Sequence, residues 1–120
     1  MRYWDPEPQP RNHLERQLRS DDPGAIQKAL IEAAYHDPDW HWVQSECSRL
    51  SHHPNDEVSY VTVICLSHLA RIHRQLDEAS AEEMLTRLAS DPAEDVTGTI
   101  PDVRDDFKVF LGRHYLNSAP

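Results

Sequence analysis

An internal repeat with an offset of 38 residues restricts the fold of this chain more than any other feature. The segment from Leu50 to Val58 is echoed by the segment from Leu88 to Val96, and Pro54 and Pro92 occupy the same place in each. The correspondence continues at three apolar positions: Cys65 with Val103, Leu69 with Phe107 and Ile72 with Phe110. Each unit has the pattern of two helices joined by a proline turn. Since one such pair cannot bury its apolar face alone, the repeat predicts that successive pairs stack.

Apolar residues at helical spacing predict an all-α fold of five or six antiparallel helices without strands. The predicted buried positions are Ile26, Ala29, Leu30, Ala33, Ala34, Val43, Cys47, Leu50, Val58, Val61, Cys65, Leu69, Ile72, Leu76, Met84, Leu85, Leu88, Val96, Ile100, Val103, Phe107, Phe110 and Leu111. The helix that contains Cys65 is apolar over more than half its circumference, which indicates a central position. The next helix is expected to begin near Ser80. Pro101 predicts a short turn before it or a kink in the last helix.

The turn Pro-x-x-x-Val between two helices, its acidic residues and a period near 40 resemble HEAT repeats. The resemblance spans about residues 40–113, although Ser59 and Thr97 follow the two valines where HEAT units usually carry arginine. It implies a short right-handed α-α superhelix, with repeats at about 40–74 and 78–113. Small acidic HEAT-like proteins are also similar to a set of bacterial immunity proteins, which bind and neutralise a toxin.

The length of 120 residues predicts a single domain. Pro6, Pro8 and Pro10 oppose both helix and strand, so residues 1–12 are expected to form an extended arm and residues 13–116 the helical domain. Hydrophobic residues make up only 38% of the chain, so the pattern rather than the composition is the argument for a core. No apolar run is long enough for a membrane helix and no secretory signal is recognisable, which predicts a cytoplasmic protein without membrane contact.

The charge balance predicts the kind of partner. Twelve basic and 21 acidic residues give a net charge of −9, and residues 21–60 alone contain eight acidic and two basic side chains. Such a chain repels phosphate backbones, so direct nucleic-acid binding is not expected. One interpretation is a solvated surface that favours solubility. The other is a negative field that attracts a basic protein.

The pattern of histidines argues against a metal site. His53 with Asp56 or Glu57, and His73 with Asp77, have the spacing of metal ligands but fit exposed helix pairs or caps. Histidines that bind one metal on a helix need a separation of three or four, but those at 36 and 41 and at 68 and 73 are five apart. Cys47 and Cys65 occupy apolar helix positions, which predicts buried, reduced thiols, with a disulfide between them as the alternative. The paired carboxylates fit solvated helix faces. We therefore expect no metal, no cofactor and no catalytic residues.

Acidic turns and stripes around an aromatic side chain form the candidate partner-binding surface. Its residues are Asp37, Asp39, Trp40, Trp42, Asp56, Glu57, Tyr60, Asp95, Asp102, Asp105 and Asp106. Trp40 and Trp42 are two residues apart and cannot point the same way from a helix. Both can be partly buried against the N-terminal helices, or one can be an exposed aromatic anchor. Tyr60 lies away from the apolar stripe of its helix and is the second candidate anchor.

These observations favour a non-catalytic, cytoplasmic protein-binding domain that is monomeric when alone. The most concrete interpretation is an immunity protein that binds and neutralises a basic toxin effector domain. The alternative is a structural or regulatory adaptor on a HEAT-like scaffold. A remote third possibility is an enzyme with a buried carboxylate or histidine.

Overall fold

The computed structural model describes residues 10–112, and this part of the chain consists of α-helices joined by short turns, without strands. The six helices are α1 (Arg11–Leu18), α2 (Pro23–His36), α3 (Trp40–Leu50), α4 (Asp56–His73), α5 (Glu78–Leu88) and α6 (Glu94–Leu111). The prediction of an all-α fold with five or six helices is confirmed. Helix α1 already begins at Arg11, so the predicted end of the arm at residue 12 is two residues late. The rest of that arm, and residues 113–116 of the predicted domain, lie outside the described residues.

Short polar side chains determine where four of the helices begin. Asp22, Asp39, Asn55 and Asp77 each accept a hydrogen bond from a backbone N–H in the first turn that follows. Such caps satisfy donors that have no partner within the helix. The predicted start of α5 near Ser80 is wrong, because the Asp77 carboxylate accepts the Ser80 N–H at 3.1 Å and the helix begins at Glu78.

Helix α6 runs without interruption through Pro101. The expected turn before this proline is therefore absent. Ile100 and Val103, on either side of it, are both buried in the core, and their packing holds the helix together across the missing N–H donor. The pyrrolidine ring itself lies on the exposed face of the helix.

The core lies around α4, which packs against α2, α3 and α6. Helix α1 packs on α2, and α5 contacts both α3 and α6. Almost every predicted apolar position is buried, including Cys47, Cys65 and Phe107, which are fully inaccessible. Ile72, Leu76, Phe110 and Leu111 are only half-buried, because they lie near or beyond the C-terminal ends of α4 and α6, where fewer helices cover them.

Helices α4 and α6 run parallel, in the register that the sequence repeat predicts. Near their starts, Tyr60 and Gly98 line the same groove. Further along, Asp106 is near enough to His68 for its negative charge to favour the protonated ring. The Arg74 guanidinium lies 5.3 Å from the centre of the Phe110 ring. These pairs are separated by 36–38 residues. Successive helix pairs thus stack side by side, while membership of the HEAT family stays a prediction.

Candidate protein-binding surface

An acidic groove lies between the N-terminal halves of α4 and α6, with Gln27 of α2 at its edge. Its volume is about 940 Å³. Five carboxylates line it: Asp56, Glu57, Glu94, Asp95 and Asp102. Neither lysine nor arginine is present among the described residues that form its wall. The groove therefore concentrates negative charge and has no cation of its own in its lining.

Four of the five carboxylates, all but Asp102, lie here because two parallel helices begin here. Asn55 caps α4 by accepting hydrogen bonds from the Glu57 and Val58 N–H groups at 2.9 and 3.1 Å. The Asp91 carboxylate accepts the Ala93 N–H at 2.8 Å just before α6. Carboxylates in a first turn interact favourably with the positive end of the helix dipole. Local helix energetics thus places these side chains at the N-termini, and the parallel packing brings the two ends together.

Tyr60 and Gly98 give the groove its shape. Tyr60 is 38% exposed, whereas its neighbour Val61 is buried at 8% exposure. Gly98 lies within α6, and a Cβ added there would meet no atom within 4 Å. The groove thus combines an accessible aromatic ring with open space on the neighbouring helix.

A second acidic and aromatic cluster joins α1 to the start of α3, and it contains its own cation. The Arg11 guanidinium donates to both carboxylate oxygens of Asp37, at 2.9 and 3.0 Å, and lies 3.6 Å from a carboxylate oxygen of Asp39. It also covers the Trp42 ring, 3.8 Å from the ring centre. Asp37 is therefore already paired, and only 8% of its side chain is exposed.

The pKa of Asp37 reflects this pairing. Burial raises the pKa of the carboxyl, but the hydrogen bonds from Arg11 and from the Asp39 N–H, together with the positive charge of Arg11, outweigh it. The result is a pKa below the usual value. The pKa of Arg11 is raised in turn, chiefly by its hydrogen bond to Asp37. Both groups are charged at neutral pH and stabilise each other.

The remaining predicted residues lie outside the groove. Trp40 and Trp42 are both half-buried and pack against the core, and the edge of the Trp40 ring system contacts the His41 ring at 5.5 Å between centres. Asp105 is exposed and Asp106 is half-buried, further along α6. The structure brings together Asp56, Glu57, Tyr60, Asp95 and Asp102 and separates them from the other six.

Sequence reasoning missed Gln27, Glu94 and Gly98 as parts of this surface. The repeat contains the signal for two of them, since an offset of 38 relates Asp56 to Glu94 and Tyr60 to Gly98. Gln27 belongs to a helix outside the two matched units. Its position at the groove follows only from the packing of α2 on α4.

Two further groups with shifted pKa values, Cys47 and His68, lie away from the groove. Cys47 and Cys65 are free and buried, and the pKa of Cys47 lies well above its usual value because of a hydrogen bond with Cys65 and because of burial. The His68 ring meets the Tyr35 ring at 5.0 Å, and its pKa is lowered by burial and by Arg71.

Within residues 10–112, no three His, Cys, Asp or Glu side chains form a group that could hold a metal ion. No described helix is long and apolar enough to cross a membrane.

Comparison with solved structures finds a close likeness over nearly the whole chain. A chain of the crystal structure of a CDI complex from Cupriavidus taiwanensis LMG 19424 is 34% identical to this one, with a TM-score of 0.76. The alignment covers 92% of this chain and 96% of that chain. No protein family matches the sequence in a scan of family profiles, and no curated protein matches it.

Proposed function

This chain belongs to the same family as the matched chain of the CDI complex from Cupriavidus taiwanensis, and on that premise we propose that it is an immunity protein of a contact-dependent inhibition system. It binds a toxin domain and neutralises it by covering a surface that the toxin needs. The function requires no catalytic group in this chain.

We place the contact at the acidic groove between α4 and α6, and the partner surface is basic. The observation that carries this assignment is the concentration of five carboxylates around an exposed tyrosine, with no lysine or arginine among the described residues of the lining. The net charge of −9 supports it, because a field of that sign accelerates the approach of a positive partner.

The two kinds of side chain have different tasks. The carboxylates at the rim of the groove steer the toxin domain and set the association rate and its dependence on salt. Tyr60 offers a rigid, partly apolar face that becomes covered in the complex, and it sets the dissociation rate. The degree of neutralisation then depends on how long the complex with the toxin persists, and thus on the dissociation rate.

The test uses the C-terminal domain of the protein encoded immediately upstream of this chain, in an inactive form. Association is measured from low to high salt for the wild type and for the double variant Asp56→Lys, Glu57→Lys. The matched control is Glu15→Lys, Glu83→Lys, which reverses two exposed charges on α1 and α5 and changes the net charge equally.

We expect the groove variant to associate at least about tenfold more slowly at low salt, with a weaker salt dependence than either the wild type or the control. Melting curves of all three show whether they fold, since each reversed charge in a first turn costs about 0.3–1 kcal/mol. Co-expression with the active toxin should rescue growth for the wild type and the control. An association rate that changes neither with salt nor with charge reversal would overturn the electrostatic assignment. Binding to the toxin domain without growth rescue would favour an adaptor.

A further inference from the structure

Gly98 has no structural reason to be glycine. It lies inside α6 with a right-handed backbone, since Gly112 is the glycine with positive φ within residues 10–112. A Cβ there would touch nothing within 4 Å, so crowding does not exclude a side chain either. Glycine inside a helix is less favourable than any residue except proline. Helix α6 already contains Pro101, so Gly98 adds a second unfavourable residue to it.

The repeat shows what the missing side chain leaves open. Val58 and Val96 are equivalent and fully buried, so Tyr60 and Gly98, two residues further on, occupy equivalent outward positions on parallel helices. At this position α4 has the side chain of Tyr60, whereas α6 has Gly98 and therefore no side chain. The groove beside the Tyr60 ring is therefore open, with the carboxylates of Asp95 and Asp102 on the same wall as Gly98.

The same molecule shows which side chain such a setting accepts. At the junction of α1 and α3, the planar guanidinium of Arg11 lies over the Trp42 ring while it pairs with the Asp37 carboxylate. Arginine combines stacking on an aromatic face with a fork of donors that fits carboxylates, and lysine lacks both features. The groove offers an aromatic face and several carboxylates, and within residues 10–112 its lining supplies no arginine.

We propose that Gly98 and Tyr60 form a subsite for one arginine side chain of the partner protein. The guanidinium stacks on the Tyr60 ring and pairs with Asp95 or Asp102, and the aliphatic part of the side chain passes over Gly98. Gly98 thus determines specificity by keeping this space free. The inference rests on the proposed function, because it names the group that the groove receives from the toxin domain.

The test places a side chain in the open space at Gly98 without destabilising α6. Gly98→Leu places a branched side chain beside Tyr60, and Gly98→Ala adds a single methyl group. The control Ala79→Leu adds a leucine at an exposed position of α5. Both substitutions of Gly98 replace glycine with a better helix former, so their melting temperatures should rise, by about 3–5 °C for alanine. A loss of binding can then not be ascribed to unfolding.

The binding measurement uses the toxin domain of the preceding experiment. Gly98→Leu should weaken its binding by about 30-fold or more, as expected at a central contact, whereas Ala79→Leu should leave it unchanged. Each arginine of the toxin domain is then changed to lysine. One Arg→Lys variant should reproduce the loss, and its effect should not add to that of Gly98→Leu.

The outcomes separate the two proposals. If the wild type binds and Gly98→Leu binds equally well, the subsite is overturned and the proposed function stands. If Gly98→Leu loses binding but every Arg→Lys variant of the partner retains it, the arginine assignment is overturned. If the wild type binds no toxin domain and gives no growth rescue, both proposals fall.

Discussion

The junction of α1 and α3 and the groove between α4 and α6 contain the same kinds of side chain in different states. At the junction, Arg11 covers Trp42 and pairs with Asp37, whose side chain is 8% exposed. In the groove, carboxylates surround an exposed Tyr60, and the part of the lining that the structure describes contains no lysine or arginine. Acidic and aromatic residues together therefore do not identify a binding surface. What distinguishes the two regions is whether the fold itself provides the arginine.

The comparison also separates stability from recognition. Hydrogen bonds to charged groups contribute about 1.5–3 kcal/mol in favourable cases. The Arg11 side chain is 39% exposed, so solvent screening reduces the contribution of its pair with Asp37 to about 1 kcal/mol. The described residues that line the groove provide no lysine or arginine for its carboxylates. The junction thus stabilises the free protein, whereas the groove is the place where we propose that the partner binds.

The largest effect is expected from a substitution that removes both regions together. Cys65 lies fully buried on α4 beside Cys47 of α3. In Cys65→Asp, the burial of an unpaired carboxylate costs several kcal/mol, against a total stability of about 5–15 kcal/mol. Circular dichroism should show loss of the cooperative melting transition, while Cys65→Ala should keep it. An unchanged melting temperature for Cys65→Asp would mean that the interface between α3 and α4 is wrongly assigned.

Truncation of Trp42 and of Tyr60 to alanine should affect different properties, stability in the first case and binding in the second. Trp42→Ala removes a half-buried ring from the core and should lower the free energy of unfolding by about 2–3 kcal/mol, less than for a fully buried ring, without slowing association with the toxin domain. Tyr60→Ala should leave stability within about 1 kcal/mol and weaken binding by about 2 kcal/mol. Melting curves and dissociation rates of both variants provide the measurement. Equal losses of binding would remove the distinction between the two regions.

A smaller effect is expected from the arginine of the junction. Arg11→Met keeps an aliphatic contact with Trp42 but leaves the Asp37 carboxylate without its partner. The free energy of unfolding should fall by about 1–2 kcal/mol. In a double-mutant cycle with Asp37→Asn, the two losses should not add. Additive losses would show that the two side chains do not interact in solution.

The pH dependence gives an independent measure of the same pair. Burial opposes ionisation of Asp37, but Arg11 and the Asp39 N–H lower its pKa in the folded protein. The folded state therefore binds the proton less readily than the unfolded state, whose carboxyl has a pKa of about 3.9. The stabilisation is complete well above pH 4 and is lost as the pH falls through the folded pKa. The stability difference between the wild type and Asp37→Asn should shrink below about pH 4 in urea titrations, and a constant difference would contradict the assignment.

The smallest effect is expected at Asp105, which is exposed on α6 and lies outside both regions. Asp105→Asn should change the free energy of unfolding by less than about 0.5 kcal/mol and leave the association rate within twofold. A marked slowing of association would extend the binding surface along α6 beyond the groove.

The predictions from the sequence are confirmed where the information lies within one helix. The apolar stripes of α2 to α6 were recognised, because burial on one face imposes a spacing near 3.6 residues. The predicted start of α5 near Ser80 is wrong, because the Asp77 cap starts the helix at Glu78. Of the two outcomes predicted at Pro101, the turn is absent, because α6 is continuous there. For the candidate site, the sequence indicates the residue types but not which of these residues lie together in space. Asp37 and Asp56 look alike in the sequence, and only the former meets an arginine.

By itself, the sequence determined the helices, their buried faces and the offset of 38 residues that sets α4 beside α6, because these follow from periodicity within and between short segments. Tertiary structure alone decided which acidic residues have partners. Arg11 is 26 residues from Asp37 in the chain, and the packing of α1 on α2 brings them together. The packing of α6 on α4 brings the N-termini of those two helices together, and the described residues that line the groove between them include no lysine or arginine. Whether a charge is paired depends on distances in space between segments that no local pattern connects.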